Sequence, residues 1–271
     1  MARVSRRLAL AAAVAVLLAA TATPALAAEG WRQTGVQRYY LFDALQRSQG
    51  VATDGGSWFF SWQYGLSHVS LDGRTLAANN PAIPAEISRQ GGNHIGDIDF
   101  HDGKLYVPIE DGPGYRHPYL ALYDARTLEF TGTAYALPQA LHTKGVPWVA
   151  VDAGRGYVYT AEWDPTAALN VFRLADLSLV KTVPLNPAIG RIQGAKLHDG
   201  ALYASSDNAT KSVYRVDPDS GSVTEVLRRD LGGAEAEGLA FLATPDGGVM
   251  HVLEAAPKTL STALRGYVRL P

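Results

Sequence analysis

The chain contains no cysteine. Disulfides, thiolate nucleophiles, zinc–thiolate sites and cysteine-anchored lipids are thereby excluded. With 271 residues it can bury a core large enough to do without covalent staples. Charge is also scarce: 18% of residues are Asp, Glu, Lys or Arg, and no long run of one sign occurs, which argues against a disordered tail. The first 28 positions hold Arg3, Arg6 and Arg7 and no acid. Removing these three from the 24 basic residues leaves 21 against 26 acidic ones, a net charge of −5. Such a surface does not attract phosphate backbones through simple charge, so no nucleic-acid partner is expected. A sustained 3.6-residue apolar period is missing beyond the first residues; positions 136–144 allow a helical turn, interrupted by Pro138. The G-x-S-x-G, H-E-x-x-H and P-loop patterns are absent too.

What is present begins with a leader. Arg3, Arg6 and Arg7 form a positive n-region, residues 8–20 an apolar stretch, and Ala25-Leu26-Ala27 a small-residue cleavage site. Residues 1–27 are thus expected to be a signal peptide, with residues 28–271 forming a single exported domain. Ser5-Arg6-Arg7-Leu8-Ala9-Leu10 partly matches a twin-arginine signal, with Ala9 where phenylalanine is usual. The apolar run is shorter than the ~18–20 residues of a membrane span, so no stable anchor is expected.

The rest repeats one phrase. In NHIGDIDFHDGKLYVPIE (residues 93–110), two alternating apolar runs, 95–100 and 104–109, flank Asp102-Gly103, the signature of a β-hairpin. Related hairpins turn at Gly55, Gly154, Gly200 and Gly247, so that the five turn glycines are spaced 48, 51, 46 and 47 residues apart. A strand repeat of roughly 40–50 residues is the period of a propeller blade. Second hairpins follow in most copies. The fifth copy ends on a third strand, while an orphan strand-like run, 36–42, opens the exported part. The expected architecture is an all-β propeller of five four-stranded blades, its ring closed by strand 36–42 pairing with the C-terminal blade and so removing free sheet edges.

Residues that recur in every copy serve the repeat. On this ground His101 and His198, each before Asp-Gly, and the acids Asp54, Asp102, Asp199 and Asp246 are read as turn residues. At the opposite end, second strands close on Gln63, Glu110, Glu162, Asp207 and Glu254, and first strands open near Gln49, His94, Asp97, Gln193 and Glu237. These groups are expected to converge on one channel mouth. Carboxylates gathered there repel one another unless a cation, protons or basic neighbours neutralise them. Oxygen ligands without cysteine suit calcium, with Asp97, Glu237, Gln49, Gln193 and Asn93 as candidate ligands; a water-filled polar channel is the alternative. His94, the unrepeated histidine at this mouth, is a candidate general base with Asp97 or a metal setting its ionisation, the alternative being an imidazole bonded to a loop carbonyl. Asp97, Glu110 and Glu237 also offer carboxylate pairs for glycoside hydrolysis. Tyr115, Trp62, Trp148 and Trp163 are candidates to line the face and stack a sugar or base, with packing between blades the commoner role of aromatic residues at strand ends, and His117, His142 and Lys144 to be solvated loop residues.

The phrases His-Ile-Gly-Asp-Ile-Asp-Phe (94–100), Asp102-Gly103-Lys104-Leu105-Tyr106 and Glu237-Gly238-Leu239-Ala240-Phe241 resemble those of secreted propellers. These include the apyrase-type calcium nucleotidases, the plant-type glutaminyl cyclases, and the SMP-30- and paraoxonase-like lactonases, although the Asn-Asp-Gly stretch of SMP-30-like lactonases is absent. The resemblance implies a propeller with calcium in its channel. Two functions are expected from it: a calcium-assisted hydrolase of a small phosphoester or ester, or a non-catalytic secreted module that binds a small molecule or glycan at the same mouth. Fold alone cannot choose between them.

Overall fold

The computed structural model describes residues 30–270 apart from Asp246. The leader 1–27 and the expected turn acid Asp246 lie outside the described residues.

Strand β1 (Trp31–Tyr40) is followed by a single helical turn, α1 (Phe42–Leu45). Blade one is β2 (Gly50–Thr53), β3 (Ser57–Trp62), β4 (Gly65–Ser70) and β5 (Thr75–Asn79). Blade two has an inner strand in two pieces, β6 (His94–Ile95) and β7 (Asp99–His101), then β8 (Lys104–Glu110), β9 (Tyr119–Asp124) and β10 (Phe130–Ala136). Blade three is β11 (Val149–Asp152), β12 (Tyr157–Thr160), β13 (Thr166–Arg173) and β14 (Leu179–Ile189); blade four is β15 (Ile192–His198), β16 (Ala201–Ser206), β17 (Val213–Val216) and β18 (Val223–Leu227). Blade five takes β19 (Glu235–Thr244), β20 (Gly247–Ala256) and β21 (Ser261–Arg269) from the C-terminal end, and its fourth strand is β1. Inner strands neighbour one another in the order β2, β7, β11, β15, β19 and back to β2. The fold is a five-bladed β-propeller.

The repeat logic explains the elements. Asp102-Gly103 and Asp199-Gly200 have positive φ at both residues (48° and 71°, 47° and 73°), the two-residue turn whose twist suits a hairpin and which Asp-Gly adopts at low cost. Apolar residues of each strand fill the space between blades, and five buried clusters occupy the five interfaces. Phe59, Leu66, Ile98 and Val107 pack between blades one and two, Trp148, Tyr159 and Leu202 between three and four, and Val51, Trp58, Leu253 and Leu264 between five and one. Trp148 is fully buried there, so of the two roles open to it, lining the face or packing between blades, the indole takes the second.

Ring closure occurs as expected, with shifted bounds. β1 runs antiparallel to β21 from Trp31 opposite Arg269 to Tyr40 opposite Ser261. It therefore starts five residues before the expected 36–42 and stops at Tyr40, because Leu41 turns into the left-handed region (φ 56°) to enter α1. Arg47, buried behind α1, holds this entry by donating to Asp43, Thr75 and the Gly73 carbonyl and by stacking on Tyr39.

The inner strand of blade two is broken, and the break shapes the channel. Between β6 and β7 the backbone leaves β8 and turns to blade three. Asp97 N–H donates to the Pro147 carbonyl (2.8 Å), and Val149 N–H donates to the Asp97 carbonyl (3.2 Å). A Cβ on Gly96 would sit 2.1 Å from the Pro147 oxygen, so glycine is required for this approach. The break carries Asp97 to the axis.

Candidate functional site at the channel mouth

Asp97 touches every blade. One carboxylate oxygen accepts the Val51 N–H of blade one at 2.9 Å. The other is 2.7 Å from the Lys196 ammonium of blade four. Its backbone is bonded to blade three, and blade five meets it at Gly238, where a Cβ would lie 2.4 Å from its carboxylate. Gly194 gives the same close approach from blade four, at 2.6 Å. Asp97 and Lys196 are both almost completely buried. Burial pushes the Asp97 carboxyl up to about 7, and the neighbouring ammonium opposes that rise. One level further along the axis, Asp99 accepts the Val151 N–H of blade three at 2.8 Å, and burial raises its carboxyl as well, against the pull of Lys196.

Above this plug lies the mouth that the strand ends define. His94 bridges two expected members: Nδ1 is 3.0 Å from Glu110 and Nε2 2.9 Å from the Gln49 side-chain oxygen. The other Glu110 oxygen accepts the Val146 N–H at 2.6 Å. Glu162 accepts from the Thr143 hydroxyl (2.6 Å) and the Lys144 N–H (3.2 Å). Asp207 receives Arg191 at 2.5 Å, Lys211, and the Ala236 N–H at 2.9 Å. Burial works to raise its carboxyl, but these donors outweigh it and hold the group below the usual carboxylate range. Glu254 is gripped by Arg265, whose Nε is 2.8 Å from both of its oxygens. Asp207 and Glu254 are thus paired with basic side chains, whereas Glu110 and Glu162 are held by backbone, hydroxyl and imidazole groups.

Glu237 is the exception. Its side chain is 1% exposed, and one oxygen is buried without a hydrogen-bond partner. Burial raises its carboxyl well above the ordinary value, with Glu235, Asp207 and Asp97 adding repulsion.

The five residues considered as calcium ligands have different hydrogen-bond partners, although Gln49 and Glu237 line one cavity. Asp97 is committed to Val51 and Lys196, and Gln49 faces His94. The Asn93 amide donates to the Gly112 carbonyl at 2.8 Å. Gln193 stands half-buried at a bulge in β15, and Glu237 lacks a partner for one oxygen. A calcium cage requires six to eight convergent oxygens, whereas here an ammonium already occupies the carboxylate best placed on the axis. Among the described residues no group of three or more His, Asp or Glu side chains is arranged to hold a metal. Likewise both ring nitrogens of His94 are engaged, which leaves neither free to take a substrate proton while those bonds stand.

Rim residues complete the face. Trp62 donates from its indole nitrogen to Asn80 (2.5 Å) and packs edge-on against the exposed Tyr64. Trp163 is covered by the Arg191 guanidinium, 5.0 Å from the ring centre. His142, expected to be a solvated loop residue, is instead fully buried between the Pro138 carbonyl and the Thr160 hydroxyl, where burial lowers its basicity; His117 pairs with Asp111 at 3.2 Å. His198, expected to serve the turn, also stacks on Phe241 at 4.0 Å.

Lys196 is absent from the expected site residues. A signal for it exists: it stands three residues before Asp199-Gly200, as Asp99 stands three before Asp102-Gly103. Aligned on their turns, blades two and four offer opposite charges at one level of the axis.

Comparison with known proteins adds the fold and little more. No protein-family model matches the chain, and no curated protein does. Among solved structures, a candidate exo-β-1,3-galactanase from Bifidobacterium bifidum s17 superposes with a TM-score of 0.61 at 13% identity, over 84% of this chain and 89% of that one. The likeness shows a fold, not an activity. A protein of unknown function from Bacteroides caccae gives 0.46 at 15% identity, over 75% of this chain and 69% of that one. A chain of a mitotic checkpoint complex gives 0.46 at 12%, over 81% and 60%, so this chain spans less than two thirds of that protein's length. The propeller part of the sequence resemblance holds; these structures do not confirm the narrower apyrase, cyclase or lactonase grouping.

Proposed function

We propose that this is an exported, non-catalytic propeller that binds a neutral, hydroxyl-rich ligand, a glycan, at the channel mouth. The observation that carries the reading is that the carboxylates of the mouth are already engaged by the protein. Glu110, Glu162, Asp207 and Glu254 each accept from protein donors, the last two from basic side chains, so the ring offers a ligand amides, an imidazole and carboxylates whose hydrogen bonds are partly taken. Gln49, Gln193 and His94 with the rim aromatics Trp62, Tyr64 and Tyr115 combine polar atoms and ring faces, the combination that suits sugar hydroxyls and their apolar C–H faces. The galactanase-named neighbour is compatible with a glycan partner. Glycan-array binding followed by calorimetry on residues 28–271 is the test. Saturable binding that Trp62→Ala weakens, without release of product, is the expected outcome. Turnover that His94→Ala or Asp97→Asn abolishes in a folded protein would overturn it.

The second reading, a calcium-assisted hydrolase of a small phosphoester or ester, is favoured by one observation, the unpartnered oxygen of Glu237. It would require Lys196 to release Asp97. A thermal melt in excess chelator, then with calcium restored, separates the two readings. The glycan reading expects no change, and a rise of several degrees with calcium would establish an ion bound to the native state.

A further inference from the structure

A cavity of about 120 Å³ opens beside the mouth, between blade five and α1. Glu237, Thr262, Gln49 and Glu235 line its polar part, and Leu45, Ala255, Pro257 and Leu260 contribute apolar wall. Two of these residues hold buried polar atoms with no partner: the Glu237 carboxyl oxygen and the Thr262 hydroxyl, in side chains 1% and 4% exposed. Unpaired polar atoms at such depth are uncommon and costly in folded proteins, and two lining one cavity point to a group that completes them. Among the described residues no Lys, Arg or His lines the cavity, while Glu235, Asp207 and Asp97 act on Glu237 as like charges and Lys211 as an opposite one. A cation that donates hydrogen bonds would complete both unpaired atoms and offset the excess of carboxylates around Glu237. Its surroundings decide between a metal ion and an organic cation. Only two carboxylates and a few neutral oxygens line the space, and aliphatic side chains occupy much of the rest. Outside the opening the surface stays apolar: Leu41, Phe42, Leu45 and Leu260 are exposed, Phe42 to 81%, and the Leu41 N–H is bonded to the Leu260 carbonyl.

We infer that this cavity is a binding site for a primary ammonium group carried on a short apolar chain, with the Glu237 carboxylate and the Thr262 hydroxyl as its acceptors. The volume accommodates roughly four water-sized groups, which matches an ammonium head and a few methylenes. Three N–H donors meet Glu237, Thr262 and one further oxygen of the lining, and the carbon chain leaves along Leu45 and Leu260. The ion pair forms away from water, where a charge-assisted hydrogen bond is stronger than on an open surface. This site does not rest on the glycan reading, since its acceptors are distinct from the aromatic rim.

The test is titration calorimetry and thermal shift on residues 28–271 with n-butylammonium chloride, n-butanol, sodium butyrate and calcium chloride, each alone. Saturable binding and stabilisation by butylammonium, absent with butanol and butyrate, are expected. Glu237→Gln keeps the shape and removes the charge, and is expected to weaken butylammonium at least about tenfold, some 1.4 kcal/mol; Thr262→Val is expected to weaken it less. Equal binding of butanol and butylammonium, or unchanged binding in a folded Glu237→Gln protein, would refute the ammonium site. So would calcium that binds alone and excludes butylammonium. Glycan affinity is measured separately, so failure of one proposal is distinguishable from failure of the other.

Discussion

Removing either partner of the Asp97–Lys196 pair tests whether the axial carboxylate is structural. In Lys196→Met the methylene stem is nearly retained and the ammonium is lost. Asp97 then keeps the Val51 N–H but stays buried with no counter-charge. In Asp97→Asn the side chain still accepts from Val51, and Lys196 is left with the Ala195 carbonyl at 3.2 Å as a hydrogen-bond acceptor and with Asp99 as the nearby carboxyl, so this variant is expected at the lower end of the loss. Breaking a buried pair from one side costs roughly 3–5 kcal/mol, because the surviving charge is uncompensated. For a chain of this size about 1 kcal/mol moves the melting temperature by ~2–4 °C, so each single variant is expected to melt about 6–20 °C lower. The double variant Asp97→Asn/Lys196→Met removes both members of the pair and leaves Asp99 as the buried carboxyl that Lys196 also acted on. It should recover part of the loss, giving a coupling of at least about 1 kcal/mol in the double-mutant cycle. Calorimetric or circular-dichroism melts of all four proteins suffice. Single variants within ~2 °C of the parent, or simply additive losses, would refute the role of Asp97 as the tie between blades. A parent that is less stable than Asp97→Asn would point the other way, to a carboxylate retained at a cost for binding or catalysis.

Two further predictions concern the same axis. Asp97 and Glu237 have folded-state carboxyls raised by burial, the first to about 7 and the second well above its ordinary value. The native state therefore holds more protons than the unfolded chain above pH ~4, and stability present at low pH is lost as pH rises through the folded-state values. Asp207, held low by its donors, acts in the opposite sense below that window, and His142, His198 and His251, whose basicity burial lowers, act in the opposite sense inside it. The melting temperature of the parent relative to Glu237→Gln is therefore expected to fall between pH 5 and pH 8; a relative rise over that range would contradict the assignment. At Gly238, alanine would place a methyl 2.4 Å from the Asp97 carboxylate and 2.9 Å from the Gly50 Cα. Overpacking of this kind costs about 1–3 kcal/mol, so Gly238→Ala should destabilise measurably, whereas Gly132→Ala, with open space at its Cβ but a positive φ of 84°, reports backbone strain alone. Equal denaturation midpoints for Gly238→Ala and the parent would show that the blades can move apart at the axis.

The sequence by itself determined the blade. Strand alternation, Asp-Gly turns and the spacing of Gly55, Gly103, Gly154, Gly200 and Gly247 are local properties, and each hairpin arises from its own residues through turn geometry and the two-residue period of the pleat. Closure was legible too, because a run without a partner at one end and a blade lacking a strand at the other leave one consistent pairing. That Gln49, His94 and Glu110 lie at the same end of their strands was also readable, since register along a blade fixes the end of the strand on which a residue falls, and the structure joins them through His94. Partners across the axis were not. Lys196 is 99 positions from Asp97, and that ion pair forms only when blades two and four face each other across the channel. A carboxylate needs a counter-charge when it is buried, but sequence does not say whether the charge comes from an ion or from the protein's own side chain. Ring geometry decided it for Asp97, in favour of Lys196. The same geometry left one oxygen of Glu237 without a partner, in a residue that lines the cavity beside α1.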